Sequence, residues 1–168
     1  MKELEYPFDA AYIIKKRKSL KKALLADGTS RIRKKIAVFG GSTTSDIVKT
    51  LELFLLDAGI EPEFYESEYA QYFQDAMFPD ETLLSFKPDI VFIHTTNRNV
   101  TDWPEMTDTT EQIDEKLHTE INRFTAMWKS IAEKFHCPII QNNFELPYYR
   151  TLGNRDAYDI HGKTNFIA

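Results

Sequence analysis

A chain of 168 residues, 42% hydrophobic and 28% charged, has the size and balance of one soluble globular domain, which excludes a collagen-like or fully disordered polymer. Cys137 is the only cysteine, which excludes a disulfide framework and a cysteine-built metal cluster, and no apolar run approaches the ~18 residues of a transmembrane helix. The net charge of −5 is unevenly spread, with 11 Lys/Arg against 4 Asp/Glu in residues 1–35 and 10 against 22 in residues 36–168.

Residues 8–26 read as a helix whose polar surface is largely Lys15-Lys16-Arg17-Lys18 and Lys21-Lys22, with an irregular apolar stripe. Two readings stand for this basic start: a solvated helix face, or a surface that attracts an anionic partner. Nucleic acid is not an expected partner, because no aromatic–basic interleaving or known binding motif accompanies the charge. Asp27-Gly28-Thr29-Ser30 is a break with turn chemistry. Residues 1–34 are therefore expected to be a basic helical extension, and residues 35–168 the α/β domain. No signal-peptide core opens the chain, and a cytoplasmic location is the expectation.

The stretch Lys35-Ile-Ala-Val-Phe-Gly-Gly-Ser-Thr-Thr-Ser-Asp46 carries the strongest local signal. Ile36 to Phe39 is short, apolar and ends in a Gly pair, the pattern of a buried parallel strand entering a tight turn. Thr43-x-x-Asp46 has the form of a capping box, so a helix is expected over 45–58 with Gly59 as its stop. This places Ser42 at the carboxyl end of a strand, the edge where open α/β sheets bind ligands. A second strand is expected over 60–65, ending in Glu66, then two short helices within 69–87. A third strand, 90–94, leads into Thr95-Thr-Asn-Arg-Asn99, five consecutive hydrogen-bonding side chains. A long helix covers 109–136: Ile113, Leu117, Ile121, Phe124, Trp128, Ile131 and Phe135 recur at spacings of 4, 4, 3, 4, 3 and 4. Residues 138–141 are a fourth strand, ending in Asn142 and Asn143, and the chain from Phe144 onward reads as irregular and polar.

Alternating strands and helices predict an α/β domain of three layers with a parallel sheet. The polar ends of its first, third and fourth strands would meet at one edge of that sheet. The glycine loop has neither a Walker lysine nor a Gly-x-Gly-x-x-Gly pattern, so a nucleotide site is the weaker reading and no cofactor or metal is expected.

Phe39-Gly40-Gly41-Ser42 resembles the Gly-Asp-Ser block of the SGNH (GDSL-type) hydrolases, and Thr95-Thr96-Asn97-Arg98 their Gly-x-Asn-Asp block. A closer resemblance is to the N-terminal SGNH-like domain of FkbH-like proteins. It rests on GGSTTSD, EFYESEYAQY, HTTNRN, NNFELP and LGNRDAYDIHGKTNFI, which together run over residues 36–168. The resemblance implies a flavodoxin-like or SGNH-hydrolase-like sheet of order 2-1-3-4, with its last elements beyond Ala168. It implies Ser42 as nucleophile and Asn97 at the oxyanion. It also implies a downstream haloacid-dehalogenase-type phosphatase domain, and an acyl carrier protein as the partner onto which a glyceryl group is loaded. The phosphatase signature Asp-x-Asp-x-Thr is absent from these residues.

Three departures matter. Gly41 replaces the Asp of Gly-Asp-Ser. Arg98 replaces the second Asp of the other block. Tyr158 replaces the Asp three residues before His161, with Asp159 two before it. A serine hydroxyl needs a base, and His161 is the expected one. His94 reads as strand structure, His118 as helix surface and His136 as a helix end. Gly41, Thr43, Glu66, Arg98, Asn143, Arg155 and Asp156 are the expected substrate contacts, with Arg98 and Arg155 able to grip a phosphate or carboxylate in bidentate fashion. Each has a plainer alternative: Ser42 as a turn residue, Asn97 as a loop tie, Glu66 as a solvated carboxylate, and Asn154 to Asp156 as a structural turn. A non-catalytic module that binds a carrier protein or supports the phosphatase domain is the competing function.

Overall fold

The computed structural model describes all residues from Met1 to Ala168. Its centre is a four-stranded, wholly parallel sheet of β1 (Ile32–Gly40), β2 (Ile60–Glu66), β3 (Ile90–His94) and β4 (Ile139–Gln141), in the order β2-β1-β3-β4. The expected order 2-1-3-4 is the one found. β1 starts at Ile32, four residues before its apolar run. Its basic amino end, Arg33 to Lys35, runs along an exposed or half-buried edge and pairs with Glu61 to Glu63 of β2.

The pleat divides the strand residues between two faces. Ala37, Phe39, Val91 and Ile93 are fully buried and form the main core with α3 (Tyr72–Met77), α4 (Glu81–Phe86) and α5 (Thr110–Phe135), through Ala76, Leu83, Phe124, Met127 and Ile131. The other face meets α2 (Ser45–Asp57). α5 is opened by the Thr109/Gln112 capping box and stopped by His136 in a left-handed conformation. α2 stops at Gly59, whose φ of +81° a residue with a side chain seldom adopts.

α1 (Ala10–Ala26) is capped by Asp9, which accepts the Tyr12 N–H at 3.0 Å. Its stripe is regular enough to bury Ile13, Leu20 and Leu24 with Leu4 against Leu53 and Leu56 of α2, in a cluster separate from the main core. Arg17 reaches Asp46 at 2.6 Å and Lys21 reaches Glu52 at 2.7 Å, so part of the basic face is spent on α2. The chain from Phe144 is less irregular than its sequence suggests: a 3-10 turn at Gly153–Ala157 precedes a short helix, α6 (Lys163–Ile167). No helix is long and apolar enough to cross a membrane.

Candidate functional site

The register of β1 against β3 pairs Gly40 with His94, so the turn after β1 and the end of β3 lie side by side. The Gly41 N–H donates to the His94 carbonyl at 2.8 Å, which carries the β1–β3 pairing one residue past the strand. From this position Ser42 Oγ lies 3.3 Å from His94 Nδ1. Both side chains are half-buried. The histidine that meets the serine is thus His94, the strand residue, and not His161. The Ser42 N–H has no acceptor within the protein, and neither do the Thr43 and Thr44 N–H groups that follow it, which leaves several donors free at this turn.

Asn99 locks the turn from the opposite side. Its Nδ2 donates to the Gly41 carbonyl at 3.0 Å, while its Oδ1 accepts the Thr96 N–H at 2.8 Å. A Cβ on Gly41 would lie 2.4 Å from Asn99 Oδ1. Gly41 is therefore required by close approach, and this gives the missing Asp of the Gly-Asp-Ser pattern a physical reason: Asn99 occupies the space an Asp would need. Asn97, two residues earlier, points elsewhere. Its Nδ2 donates to the Glu145 carbonyl and its N–H to Glu145 Oε2, each at 3.3 Å. Arg123 of α5 fixes the Asn97–Asn99 turn from below, donating to the Asn99 carbonyl at 2.7 Å, to Tyr72 Oη at 2.8 Å and to Glu120 at 2.7 Å. Burial pushes the Glu120 carboxyl up, but donors from Thr101 and Arg123 outweigh this and hold it below its ordinary value.

Thr44, not Thr43, precedes α2, and its side chain makes no capping bond. Its hydroxyl donates instead to Glu66 Oε1 at 2.7 Å, so Glu66 holds the start of α2 and is not merely a solvated carboxylate. Asp46, the expected capping-box acid, is held below its ordinary value chiefly by the hydrogen bond from Arg17. Thr43, Arg98 and Asn143 are exposed around this edge. At the next strand end, Asn142 accepts the Thr95 N–H at 3.1 Å and donates to its carbonyl at 2.8 Å, joining β4's exit to β3's.

The C-terminal candidates form a separate group whose polar atoms are spent internally. Asp156 is fully buried and accepts the Thr164 N–H at 2.8 Å and the Leu152 N–H at 3.4 Å. Burial would raise its carboxyl, but hydrogen bonds from Thr164 and Leu152 prevail and hold it low. His161 Nδ1 is 3.0 Å from Asp159 Oδ1, and its Nε2 is 3.1 Å from the Asp108 carbonyl. With both ring nitrogens engaged, His161 ties this segment to the approach of α5. Arg155, 69% exposed, pairs with Asp159 at 2.6 Å. No three His, Cys, Asp or Glu side chains gather where a metal ion could be held.

Sequence reasoning missed His94, Asn99, Glu120 and Arg123 as determinants of this edge. His94 carried a signal: it is the last residue of a strand running beside the Ser42 strand. Nothing singled out Glu120 and Arg123, because a spacing of three on α5 is also that of a solvated ion pair.

No family model matches this chain, and no curated protein matches it in sequence. Among solved structures it is similar to the N-terminal part of the protein BF1531 from Bacteroides fragilis, a crystal structure containing a phosphatase domain complexed with Mg, with a TM-score of 0.68 at 17% identity. The match covers 90% of this chain and 39% of that one, so this chain spans well under half the length of its neighbour. At this identity the likeness establishes a shared α/β fold.

Proposed function

We propose that the Ser42 edge performs acyl transfer, either hydrolysing an ester or thioester or passing a glyceryl or acyl group to an acceptor, as the SGNH-like domain of an FkbH-like protein. The observation that carries this reading is the 3.3 Å approach of His94 Nδ1 to Ser42 Oγ. It lies just outside ordinary catalytic hydrogen-bond range, a looseness common before substrate arrives. With Nε2 carrying the ring proton, Nδ1 accepts the serine proton as Oγ bonds to the carbonyl carbon. Collapse of the tetrahedral species breaks the C–O or C–S bond, and His94 returns the proton to the departing alcohol or thiol. Water or an acceptor hydroxyl or thiol then attacks the acyl-serine, His94 takes its proton, and Ser42 Oγ recovers one. The free Ser42 N–H is the first oxyanion donor. Asn97 is the second once it leaves the Glu145 carbonyl, a bond of 3.3 Å that lies at the weak end of the range.

The experiment compares turnover of short esters and glyceryl thioesters by wild type, Ser42→Ala, His94→Ala and His161→Ala. Loss in the first two variants alone is expected. Equal background rates in all four proteins would reject the reading.

A second reading, a non-catalytic module that supports a following phosphatase domain or docks an acidic acyl carrier protein, is favoured by the phosphatase domain of BF1531. The exposed Lys15, Lys16 and Lys18 beside Lys49 are the surface such a carrier would meet. Reversing Lys15, Lys16 and Lys18 to Glu should slow carrier association at low salt and flatten its salt dependence. An unchanged association rate would return these lysines to the role of solvated charges. The proposed domain division keeps a basic helical extension ahead of the sheet domain, but β1 begins at Ile32, so the boundary expected between residues 34 and 35 moves to the turn before Ile32.

A further inference from the structure

A groove of about 250 Å³ lies on the α2 face of the sheet, and all seven of its lining residues are hydrophobic. Ile47, Leu51 and Leu55 of α2 form one wall, and Ile90, Phe92 and Ile140 of β3 and β4 the floor and far side. Along β3 the pleat sends Ile90, Phe92 and His94 to the same face. The Phe92 ring centroid is 6.3 Å from that of His94, whose Nδ1 meets Ser42. Ile47 stands in the first turn of α2, five residues after Ser42. Ser42 and His94 do not line the groove, but its Phe92 end lies one pleat step along β3 from His94, and so next to the Ser42–His94 pair. Ile140 is 53% exposed, so its far side is open to solvent.

We infer that this groove binds the unbranched aliphatic chain of an acyl substrate, with the acyl carbonyl held at Ser42. The inference rests on the proposed acyl-transfer reading and names its substrate class. The lining decides the chemistry. No lining residue carries a charge or a polar side chain that would satisfy a glyceryl hydroxyl or a phosphate, and burying such groups unpaired is costly. An alkyl chain asks only for apolar surface removed from water. The volume also limits the guest: it lies below the range typical of drug-sized ligand sites, which suits a single chain of medium length.

The test uses p-nitrophenyl esters of increasing chain length together with octanoate binding. For wild type, kcat/KM should rise roughly fourfold per methylene from acetyl towards octanoyl. Leu51→Trp fills the groove from the α2 wall, and Ile140→Trp fills it from an exposed position where a larger side chain folds readily. Each should lower the octanoyl-to-acetyl ratio at least tenfold. Octanoate added to Ser42→Ala protein should shift the methyl NMR signals of Ile47, Leu51 and Ile140. A flat chain-length profile with Ser42-dependent turnover of the acetyl ester would overturn the inference and leave the acyl-transfer reading standing. Methyl shifts without turnover of any ester would uphold the groove and reject the nucleophile. Absence of methyl shifts would overturn the groove. So would a change in sedimentation mass on Ile140→Trp at an unaltered ratio, which would make this face a contact between copies of the chain.

Discussion

Two regions of this molecule look alike in composition and differ in what their polar atoms are doing. The C-terminal segment holds His161, Asp159, Asp156 and Arg155, and the β1–β3 edge holds Ser42, His94, Asn97 and Asn99. In the first, the carboxylates and both imidazole nitrogens are committed to backbone groups or to one another. In the second, the side chains of Ser42 and His94 hydrogen-bond only each other, and the Ser42 N–H is free. Unspent hydrogen-bonding capacity beside an open groove marks a site. A network whose carboxylates and imidazole are all partnered marks a clamp, although the buried Thr164 hydroxyl beside Asp156 has no partner of its own.

The largest effects that separate the two regions are on rate. His94→Ala should lower kcat/KM by about 10²–10⁴ on short esters, the contribution of a general base, while His161→Ala should stay within a few-fold of wild type. Next comes stability. Asp156→Ala strips the Thr164 and Leu152 N–H groups of their acceptor inside the protein and should cost about 2–3 kcal/mol in denaturant unfolding, with the Ser42 edge still active in the folded fraction. Gly41→Ala should act in reverse, costing about 1–3 kcal/mol because its Cβ meets Asn99, and also reducing turnover because the Ser42 turn must shift.

The smallest effect is on pH dependence. His161 is held above its ordinary 6.5, first by the Asp108 carbonyl and then by Asp159. Its contribution to stability is therefore complete below about pH 6.5 and is lost as pH rises through the raised value. Asp159 is held below its ordinary 3.8, chiefly by the His161 N–H, so its contribution is present above that pH and lost as pH falls through the lowered value. Tm measured against pH should lose its alkaline limb in His161→Gln and its acidic limb in Asp159→Asn. Neither substitution should move the pH profile of ester turnover.

How much of this was legible in the sequence follows from the kind of information each feature needs. The strands and α5 were legible, because apolar periodicity and turn residues are local, whereas the order of the sheet came only from the resemblance to the hydrolases. Ser42 was placed correctly at a strand end by the same logic. Its partner was not, because only the β1–β3 register, with Gly40 opposite His94, brings the two together. Asn97 matched the position of the Asn in the hydrolases' Gly-x-Asn-Asp block, yet the turn of Asn97–Asn99 aims Asn99 at Gly41 and Asn97 at Glu145. The C-terminal segment read as an irregular polar tail because a buried carboxylate such as Asp156 is, in sequence, indistinguishable from a solvated one.

The most direct measurement of the central claim is covalent labelling of the full chain by a fluorophosphonate, located by peptide mass spectrometry in wild type, His94→Ala and His161→Ala. The Ser42–His94 account predicts a label on Ser42 that forms at similar rates in wild type and His161→Ala and at least a hundredfold more slowly in His94→Ala. Absence of label on Ser42, or labelling slowed by His161→Ala and untouched by His94→Ala, would contradict it.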